Sequence, residues 1–180
     1  MTGKTFLNSI ANGKSDIVQL LLDLLEELKI DYCLIGGLAV NAYAEPVASL
    51  DLDLVLAIND VEKFIEHVKN TFEISRFEHS INLQHPDSDL RIQLQTDLRY
   101  QSFIAKASVK KVLGYEMKVA ALDDVLTGKI WAYSDPPDGE AGEERRKSKR
   151  QKDLTDIMRL VETHPRLHEV LPKEIKTIIG

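Results

Sequence analysis

The chain has 180 residues, 43% of them hydrophobic, enough apolar material for one compact domain, which excludes a disordered or disulfide-stapled chain. Its 23 basic and 29 acidic residues give a net charge of −6, the wrong sign for a general nucleic-acid coat. The average conceals a division, because residues 145–152 hold six bases and no acid, leaving 17 bases against 29 acids elsewhere.

The first strong periodicity is Ile17, Leu20, Leu21, Leu24 and Leu28, the apolar stripe of a helix, with Ser15 as its expected N-cap and Asp16 in its first turn. Tyr32-Cys33-Leu34-Ile35 is a short apolar run that stops at Gly36-Gly37, the pattern of a buried strand ending where backbone approaches something closely. Residues 38–44 suit a short helix closed by Pro46. Residues 50–58 predict a second strand, and 60–70 an amphipathic helix with Val61, Phe64, Ile65 and Val68 inward. Over 89–98 the alternation is regular: Leu90, Ile92, Leu94, Thr96 and Leu98 share one face, and Asp89, Arg91, Gln93, Gln95 and Asp97 the other, as in a half-buried strand. Residues 122–133 read as helix, 134–148 as a loop without large apolar residues, and 149–163 as a helix with Leu154, Ile157, Met158 and Val161 inward, ended by Pro165. The expected fold is α+β: a small mixed sheet in a core spanning 1–120, with a helical part, 121–180, packed on it as one unit.

Several function classes lose support here. A lone Cys33 and five histidines without metal-site spacing argue against structural zinc, and the cysteine fits a reducing cytoplasm. No apolar run approaches the ~20 residues of a membrane helix, and the N-terminal residues lack the order of a signal peptide. Gly3-Lys4-Thr5 and Gly13-Lys14-Ser15 imitate the end of a phosphate-binding loop, but neither has the upstream glycine or a preceding strand. Cys33, inside an apolar strand, reads as a small core residue.

The constellation that carries chemistry is Gly36-Gly37 at a strand end followed by Asp51-Leu52-Asp53 at the start of another strand. Residues i and i+2 of a strand share a face, so the two carboxylates point the same way. They repel unless a cation lies between them, and hard oxygen ligands suit Mg²⁺ (or Mn²⁺), which usually binds substrate phosphates as well. Amides at the start of the short helix after the glycines are suited to a triphosphate. The competing reading is an amphipathic edge strand with two solvated acids after an ordinary turn.

The pair of glycines, the Asp-x-Asp and their spacing resemble the nucleotidyltransferase superfamily, of polymerase-beta-like fold, in particular its branch of AbiEii-type abortive-infection toxins. Arg150-Gln-Lys152-Asp153-Leu-Thr-Asp156, following Lys129 on the preceding helix, resembles that branch's Arg-x-Lys-Asp-x-x-Asp signature, and the anchors span roughly residues 31–161. The resemblance implies Mg-dependent transfer of a nucleoside monophosphate from an NTP to an acceptor: RNA or tRNA, a protein, or a small molecule such as an antibiotic. It also implies the toxin of a toxin–antitoxin or phage-defence pair, with a cognate antitoxin as partner. Gly36 and Gly37 would contact triphosphate, Asp51 and Asp53 would hold the metal, and Ser49 would bond a phosphate or order a metal ligand. Lys129 and Lys152 would neutralise phosphate charge, with Asp153 and Asp156 holding them or orienting the acceptor, and Arg150 in support.

Each role has a plainer counterpart. Asp153 and Asp156 are equally suited to pairing with Lys149, Lys152 or Arg159 on a solvated helix face, and Lys129 to being a surface lysine. The basic run suits an RNA grip or a solvated loop balanced by Glu143 and Glu144. Tyr32, Tyr43, Phe103 and Trp131 suit a base-stacking face or the core. Two departures from the family pattern stand out. Gln93 lies where a third carboxylate is usual, and an amide is neither a general base nor a strong Mg²⁺ ligand. Asp89 and Asp97 share its face but lie ~13 Å to either side. Val47 stands where an arginine often precedes the Ser or Thr. A catalytically impaired nucleotide- or RNA-binding protein on the same fold is therefore the alternative function.

Overall fold

The computed structural model describes residues 2–11, 13, 15–135 and 143–180, without the side chains of Phe6, Ile10 and 143–146. In chain order the elements are α1 (Gly3–Ile10), α2 (Ile17–Glu27), β1 (Tyr32–Ile35), α3 (Gly36–Val40), β2 (Asp51–Leu56) and α4 (Val61–Val68). There follow β3 (Glu73–Arg76), β4 (Ser80–Gln84), β5 (Arg91–Gln95), α5 (Phe103–Lys106), β6 (Ser108–Val112) and β7 (Tyr115–Val119). The chain closes with α6 (Leu122–Ser134), α7 (Glu143–Thr163) and α8 (Lys173–Ile179). Among the described residues no helix is long and apolar enough to cross a membrane.

The strands form one mixed sheet in the order β3-β4-β5-β2-β1-β7-β6. β1 lies antiparallel to β2 and parallel to β7, and β2 lies parallel to β5. The apolar face of this sheet, with Leu52, Leu54, Leu83, Ile92 and Leu94 nearly inaccessible, forms the core together with β1, which is buried on both faces. Each such leucine or isoleucine contributes about 1.5–3 kcal/mol through removal from water. β2 is thus an interior strand, which overturns the edge-strand reading of Asp51 and Asp53.

The sheet is larger than expected, at seven strands. β3 and β6 are its two edges, and their mostly exposed residues carry no apolar alternation that a periodicity search would register. α1 is likewise absent from the expected elements. Its Gly3 lies so close to the Leu113 backbone that a Cβ would overlap it, so that glycine serves packing rather than phosphate; Lys14 of the second imitation lies outside the described residues.

Three helices differ in detail from expectation. α2 is capped by Asp16, not Ser15: its carboxylate accepts from the Gln19 amide at 3.1 Å and from the Tyr115 hydroxyl at 2.8 Å. Leu20 is exposed while Val18, Leu22 and Leu25 are buried, because the helix packs on a face rotated from the expected stripe. α6 runs through Ser134 and α7 begins at Glu143, so the expected loop 134–148 is helical at both ends; its middle, 136–142, lies outside the described residues. The first turns of α7 are charged, straight-chain residues of good helix propensity with no apolar face. Met158 on α7 is exposed and Leu160 fully buried. The buried face is Asp153, Asp156, Ile157 and Leu160, a helical stripe in which two aspartates take apolar positions.

Candidate active site

β1 ends at Ile35, directly beside Asp53 of β2, and the chain turns there at Gly36 with φ +76°. A Cβ at Gly36 would overlap Asp53 Oδ2, so both the backbone conformation and the space require glycine. One residue on, a Cβ at Gly37 would lie 3.4 Å from Asp156 Oδ2 and 4.0 Å from Ser49 Oγ. The glycine turn, the start of β2 and α7 therefore meet at one point. Ser49, buried, accepts a hydrogen bond from the Asp51 amide at 3.2 Å and so orders the entry to β2.

Asp51 and Asp53 lie on the same, half-buried face of β2. In the parallel pairing with β5, Asp51 faces Arg91 and Asp53 faces Gln93. Next to Gln93 on β4 is Asn82, whose Oδ1 is buried with no hydrogen-bond partner among the described residues. Gln93 is thus where its strand context placed it, and Asp89 and Asp97 remain four residues to either side. Asp97 is engaged by Arg99 at 2.9 Å.

The two carboxylates differ in their surroundings. Arg91 Nε donates to Asp51 Oδ1 at 2.5 Å and Lys152 Nζ to Oδ2 at 3.2 Å. Burial alone would raise the Asp51 pKa, but these two cations outweigh it and hold it below the ordinary value. Among the described residues Asp53 has no such partner: burial, then repulsion from Asp51, pushes it up to about 6, against the opposing fields of Lys129 and Lys149. Arg91 is missing from the sequence-based set of site residues. Its signal is the matched spacing of Asp51-x-Asp53 and Arg91-x-Gln93, which pair once β2 and β5 are neighbours.

Behind the glycines is a buried ionic network. Lys129 on α6, only 7% exposed, lies 2.9 Å from Asp153 Oδ1 and 2.8 Å from Asp156 Oδ2. Burial works against its charge, yet the two aspartates more than compensate and keep it protonated. Asp156 also pairs with Arg159 at 2.9 Å, and Arg159 donates to Asn41 Oδ1 at 2.9 Å and to the Glu45 carbonyl. Asn41 in turn bonds both backbone groups of Val47. This chain of contacts ties α6 and α7 to the segment between α3 and β2. Lys129 is therefore not a surface lysine, and Asp153 and Asp156 do not lie on a solvated face.

The basic run is divided by α7. Lys152 faces Asp51, whereas Arg150 turns to α6, donating to the Tyr133 carbonyl at 3.1 Å with its guanidinium 4.4 Å from the Tyr133 ring. Lys147 and Lys149 are exposed; the side chains of Arg145 and Arg146 lie outside the described residues. Phe103 and Trp131 stack on each other at 5.6 Å with Tyr100 edge-on to both, and Tyr32 is buried with its hydroxyl accepting from the Lys118 amide. These aromatic faces are occupied internally, and the half-buried Tyr43 donates its hydroxyl to the Ala120 carbonyl while Lys110 covers its ring. Cys33 is fully buried and burial pushes its thiol up to about 12, so it is no nucleophile.

Asp51 and Asp53 supply hard oxygen donors on one face, with the Gln93 amide beside them, and this fits a magnesium-sized ion sharing its coordination with substrate phosphates. Among the described residues no group of three or more Asp, Glu, His or Cys forms a metal site.

No family model matches the chain, and no curated protein matches it in sequence. Solved structures match it in fold. ANT(2″)-Ia in complex with adenylyl-2″-tobramycin superposes with a TM-score of 0.55 at 13% identity, over 91% of this chain and 97% of that one. The lincomycin-bound lincosamide antibiotic adenylyltransferase LnuA gives 0.52 at 13% identity, over 83% and 99%. The chain thus has the mixed-sheet fold of the nucleotidyltransferases.

Proposed function

We propose that the protein is a Mg²⁺-dependent nucleotidyltransferase that moves a nucleoside monophosphate from an NTP to an acceptor, with release of pyrophosphate. The observation that carries this reading is the convergence of Asp51 and Asp53, on one face of β2, with the Gly36-Gly37 turn and with cations from two other elements. Asp51 and Asp53 hold the metal, and Gly36 and Gly37 admit the triphosphate, with Ser49 ordering the strand entry. Lys152 and Lys149 neutralise phosphate charge. Lys129, Asp153 and Asp156 support the turn from behind, and Arg150 docks α7 so that Lys152 faces the site. A magnesium ion bound there would neutralise charge on the transferred group and orient it for attack.

Structural neighbours bound to lincomycin and to adenylyl-2″-tobramycin support a small-molecule acceptor. An RNA or tRNA acceptor rests on the basic run, and the fold already engages Arg150 and Lys152 of that run internally. The Arg150-to-Asp156 signature supports the toxin reading, with an antitoxin as partner. Growth arrest on expression of the parent, relieved by Asp51→Ala, is its expected outcome.

One observation favours a second reading. Gln93 faces Asp53 and cannot accept the acceptor's proton, which favours a nucleotide-binding protein with weak or absent transfer. Both readings require Mg²⁺-dependent NTP binding, measured by calorimetry, that is lost in the Asp51→Ala, Asp53→Ala double variant. They separate on Gln93→Asp: transfer that rises at least tenfold shows an impaired transferase. No gain means that position 93 is not the missing acid.

A further inference from the structure

Arg91 is a charged residue of the site for which the family resemblance supplies no role. Its Nε meets Asp51 Oδ1 at 2.5 Å while Lys152 Nζ meets Oδ2 at 3.2 Å, so each oxygen of this carboxylate already carries a cation. The two cations come from different elements, β5 and α7, and both side chains are about half exposed. Arg91 is bound through Nε alone. Its two terminal amino groups have no hydrogen-bond partner among the described residues, and that pair of donors matches two phosphate oxygens. A divalent ion approaching Asp51 without substrate meets two positive charges at the oxygens it needs, and among the described residues no third carboxylate, histidine or thiol completes a site.

We propose that Arg91 and Lys152 form a counter-charge clamp on Asp51 that stands in for the metal in the free protein. The clamp opens only when a triphosphate takes over the two cations, so metal and nucleotide enter together. Arg91 is a positioning residue that then binds phosphate. The inference rests on the nucleotidyltransferase reading of this site and assigns it an order of binding.

The test is Mn²⁺ binding to the full chain, followed by electron paramagnetic resonance, first with no nucleotide and then with each of the four NTPs. The parent is expected to take up Mn²⁺ alone only at millimolar concentration. Arg91→Gln should tighten this uptake at least tenfold, and Lys152→Gln by a smaller factor of the same sign. Arg91→Lys keeps the charge and should stay close to the parent. Adding Asp51→Ala to Arg91→Gln should abolish the gain. NTP addition should bring Mn²⁺ onto the parent at micromolar concentration and weaken when Arg91 is Gln. Equal Mn²⁺ affinity in the parent and both clamp variants, tight or absent, overturns the clamp; if NTP still binds in that case, the functional reading stands. Absence of NTP binding to the parent, with or without metal, overturns that reading and the clamp with it. Because Lys152 is on a helix surface, its variant keeps the test decisive should Arg91→Gln disturb the strand.

Discussion

A side chain at position 36 would occupy the space of the Asp53 carboxylate, in a backbone conformation that L-residues rarely adopt. Gly36→Ala is therefore expected to cost about 1–3 kcal/mol in denaturant unfolding and to abolish NTP binding, because the strand end and Asp53 must separate. Lys129 presents the opposite case, a residue whose charge rather than its smallness is required. Lys129→Met leaves Asp153 buried without its cation and Asp156 with Arg159 alone, and should destabilise by about 3–5 kcal/mol. Asp53 adds a pH dependence. Its carboxyl titrates at about 6 in the folded chain, above the ordinary aspartate value, so the folded state binds more protons than the unfolded one between roughly pH 4 and 6. Stability falls as pH rises through that window, and the whole cost is present above it. Asp53→Asn in EDTA is accordingly expected to stabilise by about 2 kcal/mol at pH 8 and by almost nothing at pH 4. A gain at pH 4 equal to that at pH 8 would show that Asp53 ionisation is not the cause.

At the scale of elements, α7 separates two kinds of basic residue that are neighbours in sequence. Arg150→Ala loses the Tyr133 carbonyl bond and the ring contact and should cost about 1–2 kcal/mol in stability. Lys152→Ala, two residues on, should leave stability within about 0.5 kcal/mol and weaken NTP binding instead. The same helix marks the boundary of what is legible in the amino-acid sequence. The apolar strands β1 and β5 declare themselves through burial and alternation, as does α4, whose four inward residues are all buried. Asp51, Asp53 and Gln93 follow from strand periodicity, and the register brings them together across β2 and β5. The start of α7 does not, because a charged helix has no apolar stripe, and its buried aspartates displace the apparent inward face toward Met158. Edge strands β3 and β6 hide for a related reason: they bury little. Arg91 is visible as one of five polar residues on one face of the 89–98 alternation, but its place opposite Asp51 needs the strand order, which no local pattern encodes.

For the molecule as a whole, net charge is a poor guide to this site. The chain carries −6, yet Arg91, Lys149 and Lys152 gather around Asp51 and Asp53, an arrangement that suits the polyanionic nucleotide of the proposed function. The fold brings the end of β1, the starts of β2 and β5, and α7 together at one end of the central strands, which is how residues more than a hundred positions apart become a single site. The central claim is that this site splits an NTP between its α- and β-phosphates. Its most direct measurement incubates the protein with Mg²⁺ and an acceptor panel of aminoglycosides, lincosamides and total tRNA, using NTPs labelled at either the α- or the γ-phosphate. The account predicts that α-label reaches an acceptor, that γ-label leaves as pyrophosphate, and that both events vanish in the Asp51→Ala, Asp53→Ala variant. Transfer of the γ-label to an acceptor, or label transfer that persists in the double variant, would contradict it.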